Sequence, residues 1–238
     1  MRHLTLAMLV TTLVASTAAE AKLLDGGTNY VPPTTSLEVD NAKTFPVSYD
    51  KTWKAVVAHL SETSFVIDNI DKDSGLITVS FAMDDAQKAI DCGQWTSWVK
   101  NMRGRRDYSF DGAAPYAKYE SLDKSTLMTL ERNLSLSGKF NILVTEPTEE
   151  SSRIKVTTRY VPTVKLKVTP LAFDSNFQRV QPRTFTESFS FNTGQEAQLP
   201  GAQTVCRSKG FLEAQILEGI SGYLDVPSPP QIDSAAVQ

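Results

Sequence analysis

The apolar positions between Phe45 and Phe81 change period once, and the change predicts a helix followed by a β-hairpin. Tyr49, Trp53, Val56, Val57 and Leu60 share one face of a helical repeat, opposite Asp50, Lys51, Lys54, His59 and Glu62. Ser48 is placed as N-cap, and Asp50 in the first turn suits the positive end of the helix dipole. After Phe65-Val66-Ile67 the pattern becomes strict alternation. Ile77, Val79 and Phe81 alternate with Thr78 and Ser80, and Asp71-Lys72-Asp73-Ser74-Gly75 supplies the turn. One helix face and one sheet face are therefore apolar, and they are expected to pack on each other.

The longest alternation runs from Leu127 to Thr145, with Met128, Leu130, Leu134, Leu136, Phe140, Ile142 and Val144 in one parity. Arg132 interrupts that face, and Gly138 reads as a bend or bulge. Ile154, Val156, Thr158 and Tyr160 form a returning strand that Pro162 is expected to break. Val164, Leu166 and Val168 then make a separate short strand, residues 171–182 a loop, and Phe185, Phe189 and Phe191 a last strand. Ser208 caps an amphipathic helix reaching about Leu224, with Leu212, Ile216, Ile220 and Leu224 spaced at i+4. This order of elements predicts an α+β fold. A curved antiparallel β-sheet packs on a long C-terminal helix, helix-grip-like, with one N-terminal helix. Leu212, Ile216 and Ile220 face Phe140 and Ile142 across a space that is either a ligand cavity or solid core.

Residues 1–21 read as a signal peptide, with a basic start, an apolar stretch from Leu4 to Val14 and Ala19-Glu20-Ala21 as cleavage site. Residues 22–40, bearing Gly26, Gly27, Pro32 and Pro33, read as a flexible leader. Residues 41–225 read as a single domain with an insert at about 84–124, and 226–238 as a disordered tail. Export implies an oxidising compartment, where the two cysteines, Cys92 and Cys206, are expected to form a disulfide. No later segment is apolar enough for a transmembrane anchor in the mature chain. The net charge of −3 argues against a nucleic-acid partner.

In the insert, Trp95, Trp98, Arg103, Arg105 and Arg106 precede Tyr108, Phe110, Tyr116 and Tyr119, and aromatics interleaved with bases form a candidate partner surface. The alternative is a surface excursion pinned by the disulfide, with its tryptophans folded on the sheet. Catalytic signatures are lacking. After signal removal His59 is the sole histidine, and it falls on the polar helix face with no nucleophile motif nearby. Asp71 opens something like a calcium loop, but Leu76 and Ala82 occupy the positions that need Gly and Glu. No carboxylate pair is singled out for a hydrolase. The chain is therefore not expected to be an enzyme, and no cofactor or metal is implied.

The run V-S-Y-D-K-T-W-K-A-V-V-A-H-L (47–60), followed by S-F-V-I-D-N-I-D-K-D-S-G-L-I (64–77), resembles the helix-plus-hairpin unit of BamC-like bacterial envelope proteins. The resemblance covers mainly residues 45–82 and implies a helix-grip domain associated with outer-membrane assembly. With it the expectation becomes a non-catalytic periplasmic interaction module binding envelope protein partners. The alternatives are a carrier or sensor of an apolar ligand such as a lipid, held between sheet and C-terminal helix, and a carboxylate-based hydrolase.

Overall fold

A computed structural model describes residues 24–224, so the signal peptide at 1–21 and the tail at 226–238 lie outside the described residues. The elements in chain order are β1 (Asp25–Val31), β2 (Ala42–Phe45), α1 (Tyr49–Ser61), β3 (Val66–Asp71), β4 (Leu76–Met83), a short 3-10 turn (Ala86–Lys88), β5 (Ile90–Asp91), β6 (Gln94–Asn101), β7 (Gly104–Asp111) and β8 (Tyr116–Asp123). There follow β9 (Thr126–Thr148), β10 (Ser151–Pro170), β11 (Arg183–Ser188), β12 (Phe191–Asn192), β13 (Glu196–Gln198), β14 (Val205–Ser208) and α2 (Phe211–Tyr223). The fold is α+β and mostly antiparallel sheet.

The β9–β10 hairpin is the spine. It is in register from Met128↔Pro170 to Val144↔Ile154. β4 and β8 share the other side of β9, β3 edges β4, and β2, β11 and β12 edge β10. The even-numbered residues of β9, from Leu130 to Val144, turn inward apart from Gly138, as strict alternation requires. Trp53, Val56 and Leu60 of α1 and Leu212, Ile216 and Ile220 of α2 cover that face in one core cluster with Ile77, Val79, Phe140 and Ile142. Each such side chain contributes about 1.5–3 kcal/mol by leaving water. Arg132, the odd member of the stripe, is buried as well; its guanidinium donates to the carbonyls of Gly112 and Ala114 before β8.

Several expectations are corrected. α2 is not long: it has 13 residues, the same as α1, so two short helices share the sheet face. Its N-cap is Gly210, at φ 71°, while Ser208 ends β14 and accepts the Gly210 N–H through its hydroxyl at 3.0 Å. Ser48 stands at the N-cap of α1 but makes no side-chain capping bond. The leader is not a free segment, because 25–31 pairs with β6 from Asp25↔Lys100 to Val31↔Gln94. Its glycines serve proximity: a Cβ on Gly27 would lie 3.0 Å from Nε1 of Trp98.

Pro162 does not break β10. Its carbonyl accepts from Phe189 N–H, so its missing N–H also faces the β11–β12 side, where that neighbour is itself interrupted between Ser188 and Phe191. For the same reason Phe185 and Phe191 belong to two strands. Gly138 makes no bulge; it pairs in register with Tyr160 and Phe81, whose ring lies over it. The insert is mostly sheet after the Ala86–Lys88 turn, and its β5 pairs with β14. β6 and β7 join β1 in a second, three-stranded sheet, and β8 joins the main one.

Candidate functional site

The structure divides the Trp/Arg surface between the two faces of the β6–β7 hairpin. Trp95 points inward, lies tilted against Tyr30 with ring centroids 4.9 Å apart and donates from Nε1 to Oγ1 of Thr204 at 3.3 Å. Arg106, opposite Val99 in the register, shares that face and pairs with Glu120 at 2.7 Å. Trp98, of opposite parity, is covered by the Arg105 guanidinium at 4.4 Å, which Asp107 holds at 2.7 Å. Arg103 lies in the turn beside exposed Met102. Two of the three arginines are thus neutralised by carboxylates, and the five residues make no single surface. Tyr30 also ties β1 to the disulfide: its hydroxyl lies 3.3 Å from the carbonyl oxygen of Cys92 and 3.1 Å from that of Val205, and accepts the Val205 N–H. The Cys92–Cys206 bond is buried and spans a sequence separation of 114.

Sequence reasoning missed a polar cluster inside the core. Glu213, in the first turn of α2, is 0% exposed. The Tyr160 hydroxyl lies 2.7 and 2.9 Å from its two carboxylate oxygens, and the Thr193 hydroxyl also donates to it. Ser208 donates to the Tyr160 oxygen at 3.0 Å. Burial first, and then the charge of Glu213, push the Tyr160 phenol far above its usual range. A signal was present: Glu213, Ile216, Leu217, Ile220 and Leu224 follow helical spacing, so the carboxylate sits on the buried stripe. Tyr160, Ser208 and Glu213 are closed to solvent and Thr193 is half-buried, and together they tie α2 to β10.

His59 also departs from expectation. It is half-buried against Gly219 of α2 and lies 6.0 Å from the Tyr223 ring, and burial lowers its pKa. Leu212, Ile216, Ile220, Phe140 and Ile142 are packed core, none more than 4% exposed, so the space between them is filled, and at the Leu212 end the sheet–helix seam opens into a hollow beside β4. Among the described residues no cluster of three His, Cys, Asp or Glu side chains could hold a metal ion. Among them, too, no helix is long and apolar enough to cross a membrane.

Exposed apolar residues are spread over the surface, with Val66, Ile67 and Ile70 along β3 and Met102 in the β6–β7 turn, and one group lies at the β10–β11 connection and the start of β11. Leu171, Phe173, Phe177 and Phe185 all face solvent there, Phe177 at 89% exposure. The turn is fixed by Asp174, whose Oδ1 accepts the N–H groups of Asn176 and Gln178, each at 2.9 Å. Phe177 takes φ 58° within it, a conformation a bulky residue rarely adopts, and its ring is directed into water. Arg179 lies over the Phe173 ring at 6.0 Å. Compared with known proteins, the chain matches no family model, no curated protein and no solved structure.

Proposed function

We propose that the chain is a non-catalytic interaction module of the bacterial periplasm, engaging an envelope protein partner through the β10–β11 tip. The observation that carries this reading is Phe177, held out of the fold by a turn that has already fixed its backbone. Large aromatic side chains on ordered backbone are the usual anchors of protein interfaces, because little conformational entropy remains to be lost on binding. The buried Cys92–Cys206 bond is compatible with an oxidising compartment. The BamC-like resemblance of residues 45–82, a helix-grip relation in which α1 and α2 share the gripped face, and a link to outer-membrane assembly belong to the same proposal. The α1–β3–β4 unit supports them.

The test is a photocrosslinking amino acid placed at Phe177 in producing cells, with Glu149 in the distal β9–β10 turn as control position. A discrete adduct at 177, absent at 149 and lost on Phe173→Ser, is expected. Equal labelling at both positions, or none at 177, would overturn the reading. A mature chain beginning at Lys22 in the periplasmic fraction is the matching result for localisation; retention of residues 1–21 would overturn that part.

A further inference from the structure

β4 outlasts its partner. β3 begins at Val66, which pairs with Ser80, so Phe81, Ala82 and Met83 run on along β9 with no strand on their other side. The direction of their backbone groups follows from the ladder. Val144 N–H donates to the Gly75 carbonyl, which sets the odd-numbered residues of β4 toward β9. Ala82 therefore directs its N–H and C=O outward, and among the described residues neither meets a partner.

Beside this open edge the chain at 63–65 diverges on its way from α1, leaving a groove of about 300 Å³. Phe65, Phe81, Met83 and Leu212 form its apolar walls, with Ser64 and Gln215 at the mouth. The volume is at the lower limit of ordinary ligand sites, the scale of one large side chain. No Lys or Arg lines it. Exposed acids stand near it in the chain: Glu62 next to Thr63, Glu218 one turn along α2 from Gln215, and Asp84 next to Met83, where strand parity sets it with Ala82 on the outer face, in a hollow that Lys165 also lines.

These features agree on one kind of occupant. A free N–H and C=O on a sheet edge recognise an extended backbone, and a groove on one face of that edge recognises every second side chain. Ala82 points its side chain away from the helices, so residues flanking its partner in an added strand would point toward them, into the groove. We propose that the end of β4 receives an extended segment of a partner polypeptide as a short added strand, with an aromatic or branched apolar side chain between Phe65 and Met83 and basic residues against Glu62 and Glu218. This surface does not involve the β10–β11 tip and stands or falls separately.

The probe is a five-residue K-T-F-T-K peptide titrated into the isotopically labelled full chain, read by amide NMR shifts. Two control peptides accompany it, one N-methylated at the backbone and one with Ser in place of Phe. Shifts at Ala82 and Gln215 are expected, with binding weakened about tenfold by N-methylation and by Ala82→Pro, each of which removes one edge hydrogen bond. Proline is tolerated on a strand edge. If that variant fails to fold, Glu218→Lys serves, and it too must weaken the peptide. Shifts confined to Phe177, or binding indifferent to both N-methylation and Glu218→Lys, would overturn the proposal. Displacement of the peptide by an apolar dye alone, with N-methylation again without effect, would instead mark the groove as a small-molecule site and equally overturn it.

Discussion

Replacing Tyr160 by Phe removes one oxygen from the centre of the molecule and little else. The ring keeps its neighbours, Phe191 at 5.3 Å and Phe81 at 6.4 Å. The hydroxyl that goes is the donor to Glu213, at 2.7 and 2.9 Å from the two carboxylate oxygens, and the acceptor for Ser208 at 3.0 Å. A hydrogen bond to a charged group contributes about 1.5–3 kcal/mol and a neutral one about 0.5–1.5 kcal/mol, so the loss is about 2–4.5 kcal/mol. For a domain of this size each kcal/mol moves the melting temperature by roughly 2–4 °C, which places the variant roughly 4–18 °C below the parent. Near-UV circular dichroism melts at pH 7 read this directly. An alkaline series supplies a second readout. The unfolded chain gives up the Tyr160 proton near pH 10, whereas the folded chain holds it, because burial and Glu213 raise its pKa. Above pH 10 the unfolded state binds fewer protons, so stability falls with rising pH, by about 1.4 kcal/mol per pH unit from this group. The variant lacks that increment. A Tyr160→Phe protein that melts within about 1 °C of the parent and keeps the full alkaline slope would refute the network as a structural anchor.

Gly138→Ala puts a methyl group 2.1 Å from the Arg159 carbonyl oxygen and 2.7 Å from the Phe81 ring, so a loss of about 1–3 kcal/mol is expected in urea unfolding, and an unmoved midpoint would contradict the packing. Reducing Cys92–Cys206, with its separation of 114, is expected to cost about 2–5 kcal/mol, read as the difference between denaturation midpoints with and without reductant. His59 titrates below its ordinary value of 6.5 because burial disfavours the imidazolium. Stability therefore rises with pH from the folded value up to about 6.5, since the unfolded chain takes up the proton first. An NMR titration midpoint for His59 at or above 6.5 would count against the contact with Gly219.

What the sequence made legible was whatever local period encodes. The apolar face of α1, the β3–β4 hairpin and the inward parity of β9 follow from alternation over neighbouring residues. Five features escaped it for identifiable reasons. Gly26 and Gly27 suggested flexibility, yet β1 is a strand whose Gly27 lies against Trp98, a contact made seventy-one residues away in the chain. Pro162 looked like a terminator because its effect depends on which neighbour would have received its N–H, and that is a matter of sheet order. Glu213 sits on the α2 stripe, but the partners that make its burial tolerable, Tyr160 and Thr193, come from β10 and the loop after β12. The Trp95–Arg106 run had the composition of a surface, but strand parity sends its members to opposite sides. The groove beside β4 was invisible because it is the difference between two strand lengths.

The register carries a consequence for the time course of folding. β9 and β10 meet across a two-residue connection, so their ladder can close early and locally. β4 must find β9 across the whole β5–β8 region, and Cys206 must find Cys92 across 114 positions, each at a greater entropic cost of loop closure. The spine is therefore expected to form before the thiols pair, so the β9–β10 amides should be protected from exchange in the reduced chain, and a reduced chain without that protection would contradict this order. With two cysteines in the chain, an oxidant acting too soon has no wrong cysteine to join within the molecule, and its errors are a bond between two chains or a thiol capped or over-oxidised before its partner arrives.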